Sequence, residues 1–246
     1  MIDPSTIRVA SAGVDAWSAV VLVALTRQKP AALRRDCYPF VVVVAVAGVG
    51  AGLWGARIGA ISIAGGTLEG GQLLTDYVAY PFLFGFAAFV SGAGRRYVGG
   101  VAAIIVTMRL GYDAAEVFEG PLALAGTGSI LVGYVVLLGL YFGPLANAAA
   151  RQSPARELFY TKTRNLVLFA FGVLIAWAMF RIAGAFDPFT AAVTLEYLDL
   201  LLRVGFAGFV FANVKTLATG TGSADGSGGD DAGQGGPSPT VGAGAD

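Results

Sequence analysis

Seven apolar segments divide this chain, and they decide what it can fold into. They lie near Ala12–Thr26, Tyr38–Gly55, Leu73–Ser91, Tyr97–Leu110, Pro121–Leu145, Leu166–Ile182 and Phe189–Val214, with the first and fourth the shortest. A helix crosses a bilayer with about 20 apolar residues at roughly 1.5 Å each, and in lipid it must satisfy its own backbone hydrogen bonds. The pattern therefore predicts an all-α, seven-transmembrane-helix bundle in the cell membrane, in contact with lipid. Composition agrees: 56% of residues are hydrophobic and 13% are charged, where soluble chains carry about 25% charged residues. The mean hydropathy is +0.70.

Charge between the segments sets orientation. Arg27, Lys29, Arg34, Arg35, Arg95, Arg96, Arg151, Arg156, Lys162, Arg164 and Lys215 fall on one side, against Arg8, Arg57, Arg109 and Arg181 on the other. Basic residues stay in the cytoplasm, so the N-terminus is expected outside and the C-terminus inside, which needs an odd number of spans. No leader pattern precedes the first span, so no cleaved signal peptide is expected. The bundle is assigned to residues 1–218 and a cytoplasmic tail to 219–246. From Gly220 to Asp246 the chain is rich in Gly, Ser, Ala and Asp without an aromatic residue, a composition that stays disordered. Alternation over Ile58–Gly71, with a glycine turn, predicts a short external hairpin.

Several chemistries are excluded early. The chain has no histidine and one cysteine, Cys37, so it has neither histidine metal sites nor intrachain disulfides. Lys+Arg and Asp+Glu balance at 16 each, which gives no case for nucleic acid. No nucleophile–base pair or metal cluster suggests an enzyme. Arginine far outnumbers lysine in an Ala-, Gly- and Val-rich chain, as in a GC-rich genome such as a haloarchaeon's. Glycines inside the spans, as in Gly48-Val-Gly-Ala-Gly52, Gly99-Gly100 and Gly126-Thr-Gly128, suit close helix contact in lipid. They suit equally a groove for a long rigid lipid or carotenoid.

The last segment contains three charges. Glu196, Asp199 and Arg203 stand at i, i+3 and i+7, which puts them on one helical face, with Asp199 and Arg203 an i,i+4 pair. A lone charge at mid-bilayer costs about 2.5–3.5 kcal/mol, so such groups face inward and pair, and they mark a candidate site. Glu196, nearer the outer interface, is expected to be solvated there.

Asp199-Leu-Leu-Leu-Arg203-Val204-Gly205-Phe206 resembles the seventh-helix signature of the microbial (type I) rhodopsins, Asp-x-x-x-Lys-Val-Gly-Phe. The resemblance runs over roughly residues 12–216. It is strongest in that helix and moderate around Arg164-Asn165, after Tyr141-Phe142-Gly143. In the family the lysine carries retinal as a Schiff base and the aspartate is part of its counterion. Here Arg203 holds the lysine position, and a guanidinium does not condense with an aldehyde as an amine does. The other lysines, Lys29, Lys162 and Lys215, sit in or beside connecting segments. The resemblance thus implies a lysine-less opsin without covalent retinal.

Asp76-Tyr77-Val78-Ala79-Tyr80-Pro81 resembles the third-helix region of the pumps. Aligned on Pro81, the pump arginine becomes Gln72 and the counterion Thr75. The neighbouring tryptophan becomes Asp76, expected at a water-filled cavity near the outer mouth, and the proton donor becomes Phe86. Tyr80 precedes the proline, which is expected to kink the helix. The positions that clamp the polyene become Phe171, Leu174 and Ala178. Each named part of a proton relay is changed. Three readings stay open. One is a non-photochemical structural or carotenoid-binding component, oligomeric in the membrane. Another is a sensory module acting through a partner. The third is a transporter or photoreceptor with noncovalent retinal.

Overall fold

The structure, a computed structural model, describes residues 3–64 and 66–216. The tail expected from Gly220 onward, and the boundary at 218, lie outside the described residues. Helix α1 (Pro4–Arg27) leads to α2 (Ala31–Gly55), a hairpin of β1 (Ala60–Ile63) and β2 (Gly66–Glu69), then α3 (Gly70–Val90) and α4 (Arg95–Val117). There follow α5 (Pro121–Phe142), the short α6 (Pro144–Ala149), α7 (Pro154–Ile182), α8 (Pro188–Leu200), a π turn over Leu201–Gly205, and α9 (Phe206–Asn213). The hairpin is antiparallel, with Ala60 opposite Glu69 and Ile63 opposite Gly66, as the alternation predicted.

These elements make seven rods. The fifth is α5 with α6, the sixth is α7, and the seventh is α8, the π turn and α9 end to end. Among the described residues, six helices are long and apolar enough to cross a membrane as single pieces; the seventh rod is divided by its π turn. Neighbours in sequence pack together from α1 to α5, α3 also meets α7, and α8 packs on both α7 and α1. The ring therefore closes between first and last rods, with the interior along α3 and α8.

Local rules explain the starts. Proline opens α1, α5, α6, α7 and α8, where its missing N–H is not needed and its fixed φ suits a first turn. Asp3 caps α1 by accepting from Ser5 N at 2.9 Å. Asp187 caps α8 by accepting from Phe189 N and Thr190 N, both at 3.0 Å. The Thr190 hydroxyl and backbone bonds hold the Asp187 carboxyl below its ordinary range, because they favour the ionised form.

Four boundaries move most. The first rod begins at Pro4, the second at Ala31 ahead of Tyr38, the fourth runs on to Val117 past Leu110, and the sixth starts at Pro154. Charges at Arg8, Arg109, Asp113 and Lys162 depress local hydropathy, yet the backbone ladder continues through them. Arg109 in particular lies within a span, buried, and not in a connection.

Outward faces are apolar, as lipid requires: Trp17, Leu124 and Phe169 are among the most exposed large hydrophobics. Inside, Phe40 meets Phe82 and Phe86 edge-on at 5.0 and 4.7 Å, and Phe84 meets Phe171 at 4.7 Å. Glycines set the closest crossings. A Cβ on Gly50 would strike Thr75 Oγ1 and Gly71 O of α3, and one on Gly111 would strike Ser129 Oγ and Gly126 O of α5. These glycines are used for helix packing.

The charge bias makes a first prediction. A reporter fused after Val214 is expected in the cytoplasm and one inserted at Gly66 outside; protease protection or glycosylation mapping reads both, and reversal of either would refute the orientation.

Candidate functional site: two buried arginines

Arg203 sits on the π turn and is 2% exposed. Its Nε donates to the Asp199 carbonyl at 3.2 Å, and its Nη2 lies 3.4 Å from Asp199 Oδ2. The expected i,i+4 pair is therefore present. A third member comes from α1: Asp15 Oδ2 lies 3.7 Å from Arg203 Nη1. Tyr80, on α3, donates its hydroxyl to Asp199 Oδ1 at 2.5 Å. Two carboxylates thus flank one guanidinium, and neither Asp15 oxygen has a hydrogen bond among the described residues.

A second centre lies on α4. Arg109 Nε stands 3.2 Å from Asp76 Oδ2, and Arg109 Nη2 stands 2.8 Å from Asp113 Oδ1. Tyr77 donates to Asp113 Oδ2 at 2.8 Å, and the Tyr112 ring lies 4.7 Å from the guanidinium carbon. Asp76 lines a cavity, and a charge partner meets it there. Arg109, one turn before Asp113, reaches across to it and takes its charge. A cavity of about 10 Å³ bounded by Gln72, Thr75, Asp76, Glu196, Asp199 and Arg203 separates the two centres, room for one water at most.

Other expected residues take other roles. Thr75 donates to Gly71 O at 3.1 Å within its own helix. Phe171, Leu174 and Ala178 line a cavity of about 60 Å³ together with Asp76, Tyr80 and Arg109, and Phe171 meets Tyr80 at 5.8 Å. Phe86 packs on Phe206 at 6.1 Å. Glu196 is 5% exposed, so its expected solvation is wrong: α1 covers the outer half of α8 and closes over it.

Asp15 and Asp113, and the inward roles of Arg109 and Tyr77, are not singled out by the sequence. Arg109 and Asp113 had a usable signal, the same i,i+4 spacing as Asp199 and Arg203; Asp15 had none beyond being a lone acid in an apolar run. The lysines stand away from both centres. Lys29 Nζ donates to Phe211 O at 3.1 Å, at the end of α9, while Lys162 and Lys215 are exposed. No group of three or more His, Cys, Asp or Glu among the described residues is placed to hold a metal.

Fold and site together define a seven-helix, multi-pass protein of the plasma membrane whose seventh rod brings charges to the core. No family model matches the chain. It is 30% identical over 168 residues to sensory rhodopsin I of Haloarcula marismortui, covering 66% of this chain and 69% of that one. It is 27% identical over 185 residues to the sensory rhodopsin of Halorubrum sodomense, covering 75% and 73%. Among solved structures it resembles the thermophilic rhodopsin from Rubrobacter xylanophilus, with a TM-score of 0.76 at 15% identity over 88% of this chain and 98% of that one. It also resembles the light-driven proton pump of Coccomyxa subellipsoidea, with a TM-score of 0.75 at 17% identity over 85% and 96%; these two likenesses concern the fold. The chain belongs to the microbial rhodopsins.

Proposed function

We propose that this rhodopsin holds no covalent retinal and serves as a non-photochemical component of its membrane, with no enzymatic activity. The observation that carries the reading is the placement of Arg203, at the position matching the family's lysine and held by Asp199 and Asp15. A covalent retinal needs an amine there and a long cavity beside it. Ligand sites span about 300–1,000 Å³, whereas the cavity beside Phe171 and Leu174 has about 60 Å³. These residues do not fit the chromophore. Gln72, Thr75 and Phe86 at the matching pump positions supply no ionisable relay, and Asp76 is tied to Arg109.

The second reading is a signalling role through a partner, favoured by relatives that are sensory rhodopsins. The absorption spectrum of protein from its native membrane separates these readings from the pigment alternatives. A retinal band that resists extraction argues against the proposal, and a carotenoid vibronic pattern adds a noncovalent pigment to it. Co-purification of a signalling partner favours the second reading, and a homo-oligomer alone favours the first.

The direct test uses retinal followed by borohydride. The wild type is expected to give no stable adduct. Arg203→Lys restores the amine one turn from Asp199 and is expected to give slow, partial labelling, because the cavity is small. An adduct on the wild type overturns the proposal.

A further inference from the structure

A second, larger cavity, of about 300 Å³, lies beneath the outer ends of α1, α7 and α8. It is separate from the Phe171 cavity. Phe186, Ala192 and Leu195 give it apolar walls, and Arg8, Arg181, Trp54 and Glu196 give it polar ones. Its volume is at the lower end of ligand sites.

Its polar groups are incompletely matched. Arg181 is committed to an ion pair with Glu116. Arg8 lies over the Trp54 ring with its guanidinium carbon 3.8 Å from the centroid. Arg8 Nε and Trp54 Nε1 are buried, and neither has a hydrogen-bond partner among the described residues. Trp54 as a whole is only 6% exposed. Glu196 is buried too, and it forms no ion pair within 4 Å among the described residues, unlike Asp199 three residues on. A guanidinium and a buried carboxylate that form no ion pair with each other line one cavity, an arrangement that is costly unless something complementary enters.

The complement can be specified. The outer nitrogens of the Arg8 guanidinium call for a carboxylate, and Glu196 calls for a cation. The charges sum to zero, Arg181 ion-paired with Glu116 and Arg8 offset by Glu196 without a direct pair, so a simple anion or a simple cation would bring excess charge into a low-dielectric place. A molecule carrying both charges brings none. The apolar wall adds room for a short hydrocarbon body.

We propose that this outer cavity binds a small zwitterion, an α-amino acid with an aliphatic side chain, its carboxylate at the Arg8 guanidinium and its ammonium at Glu196. The proposal stands apart from the chromophore reading and holds whichever role the core plays.

The test uses the full chain in lipid nanodiscs with leucine as the probe. Two analogues each lack one charge, 3-methylbutylamine and 4-methylpentanoate. Leucine is expected to give saturable heat and a raised unfolding midpoint at concentrations up to about 10 mM, with each analogue at least about tenfold weaker. Glu196→Gln keeps the shape and removes the charge, while Ala192→Phe fills the cavity and leaves the polar groups in place. Each is expected to weaken leucine by about tenfold or more; if one variant fails to fold, the other decides. Absence of saturable leucine binding to the wild type overturns the proposal. So does equal binding of either analogue, or leucine binding untouched in a folded variant.

Discussion

Arg203→Leu will destabilise the bundle by about 3–5 kcal/mol, because it removes the guanidinium that faces the buried carboxylates of Asp15 and Asp199. Asp199 keeps the Tyr80 hydroxyl at 2.5 Å. Among the described residues Asp15 keeps neither hydrogen bond nor ion pair, since its close partner there is Arg203 Nη1 at 3.7 Å. The variant must strand charge in the core or protonate it. Adding Asp199→Asn should recover part of the loss, and adding Asp15→Asn as well should recover most of it. Reversible unfolding in mixed micelles reads each step. If the three single effects simply add, the residues do not act as a unit, and the triad is a coincidence of distance.

A comparable loss is expected from one methyl-bearing change where α4 crosses α5. Gly126→Val places a Cβ against the Gly111 carbonyl oxygen and 3.0 Å from Ala115 N. Both obstacles are backbone, so no side chain can turn aside and the helices must separate. Overpacking typically costs about 1–3 kcal/mol and can exceed that; against rigid backbone the upper end or beyond is expected, seen as lost monodisperse protein and a lowered unfolding midpoint. Gly128→Val is the control, since nothing lies within 4 Å of its added Cβ. Equal damage from both would mean that glycine acts here through helix propensity and not through contact.

How much of this was legible in sequence depends on distance along the chain. The seven rods follow from hydropathy, and the Asp199–Arg203 pair follows from helical spacing. The hairpin at Ile58–Gly71 follows from alternation and a glycine turn. The failures share one cause. Hydropathy treats a charge as the edge of a span, so it counts Arg109 toward the outer side and ends the fourth rod at Leu110. In the fold that charge is balanced by Asp76 from α3, far away in sequence. Asp15 reaches Arg203 across even more of the chain. Sequence places Glu196 in water because depth along α8 can be counted, while its cover by α1 cannot. Local periodicity shows which face a residue takes, and only packing shows what stands opposite.

The π turn at Leu201–Gly205 has a consequence for chain length. Each added residue in a regular α-helix turns everything beyond it by about 100°. A wide turn takes up the surplus on the spot. Asp199 before it and Phe206, Val210 and Phe211 after it therefore all keep their inward aim. The seventh rod carries a built-in slack of one residue, located at Arg203. Shortening the chain at exposed Leu201 would close the turn into ordinary helix and leave both halves in phase. The same deletion inside α9 would swing the aromatic end toward lipid. Insertions and deletions in relatives of this chain should accordingly be absorbed at the turn that carries the arginine.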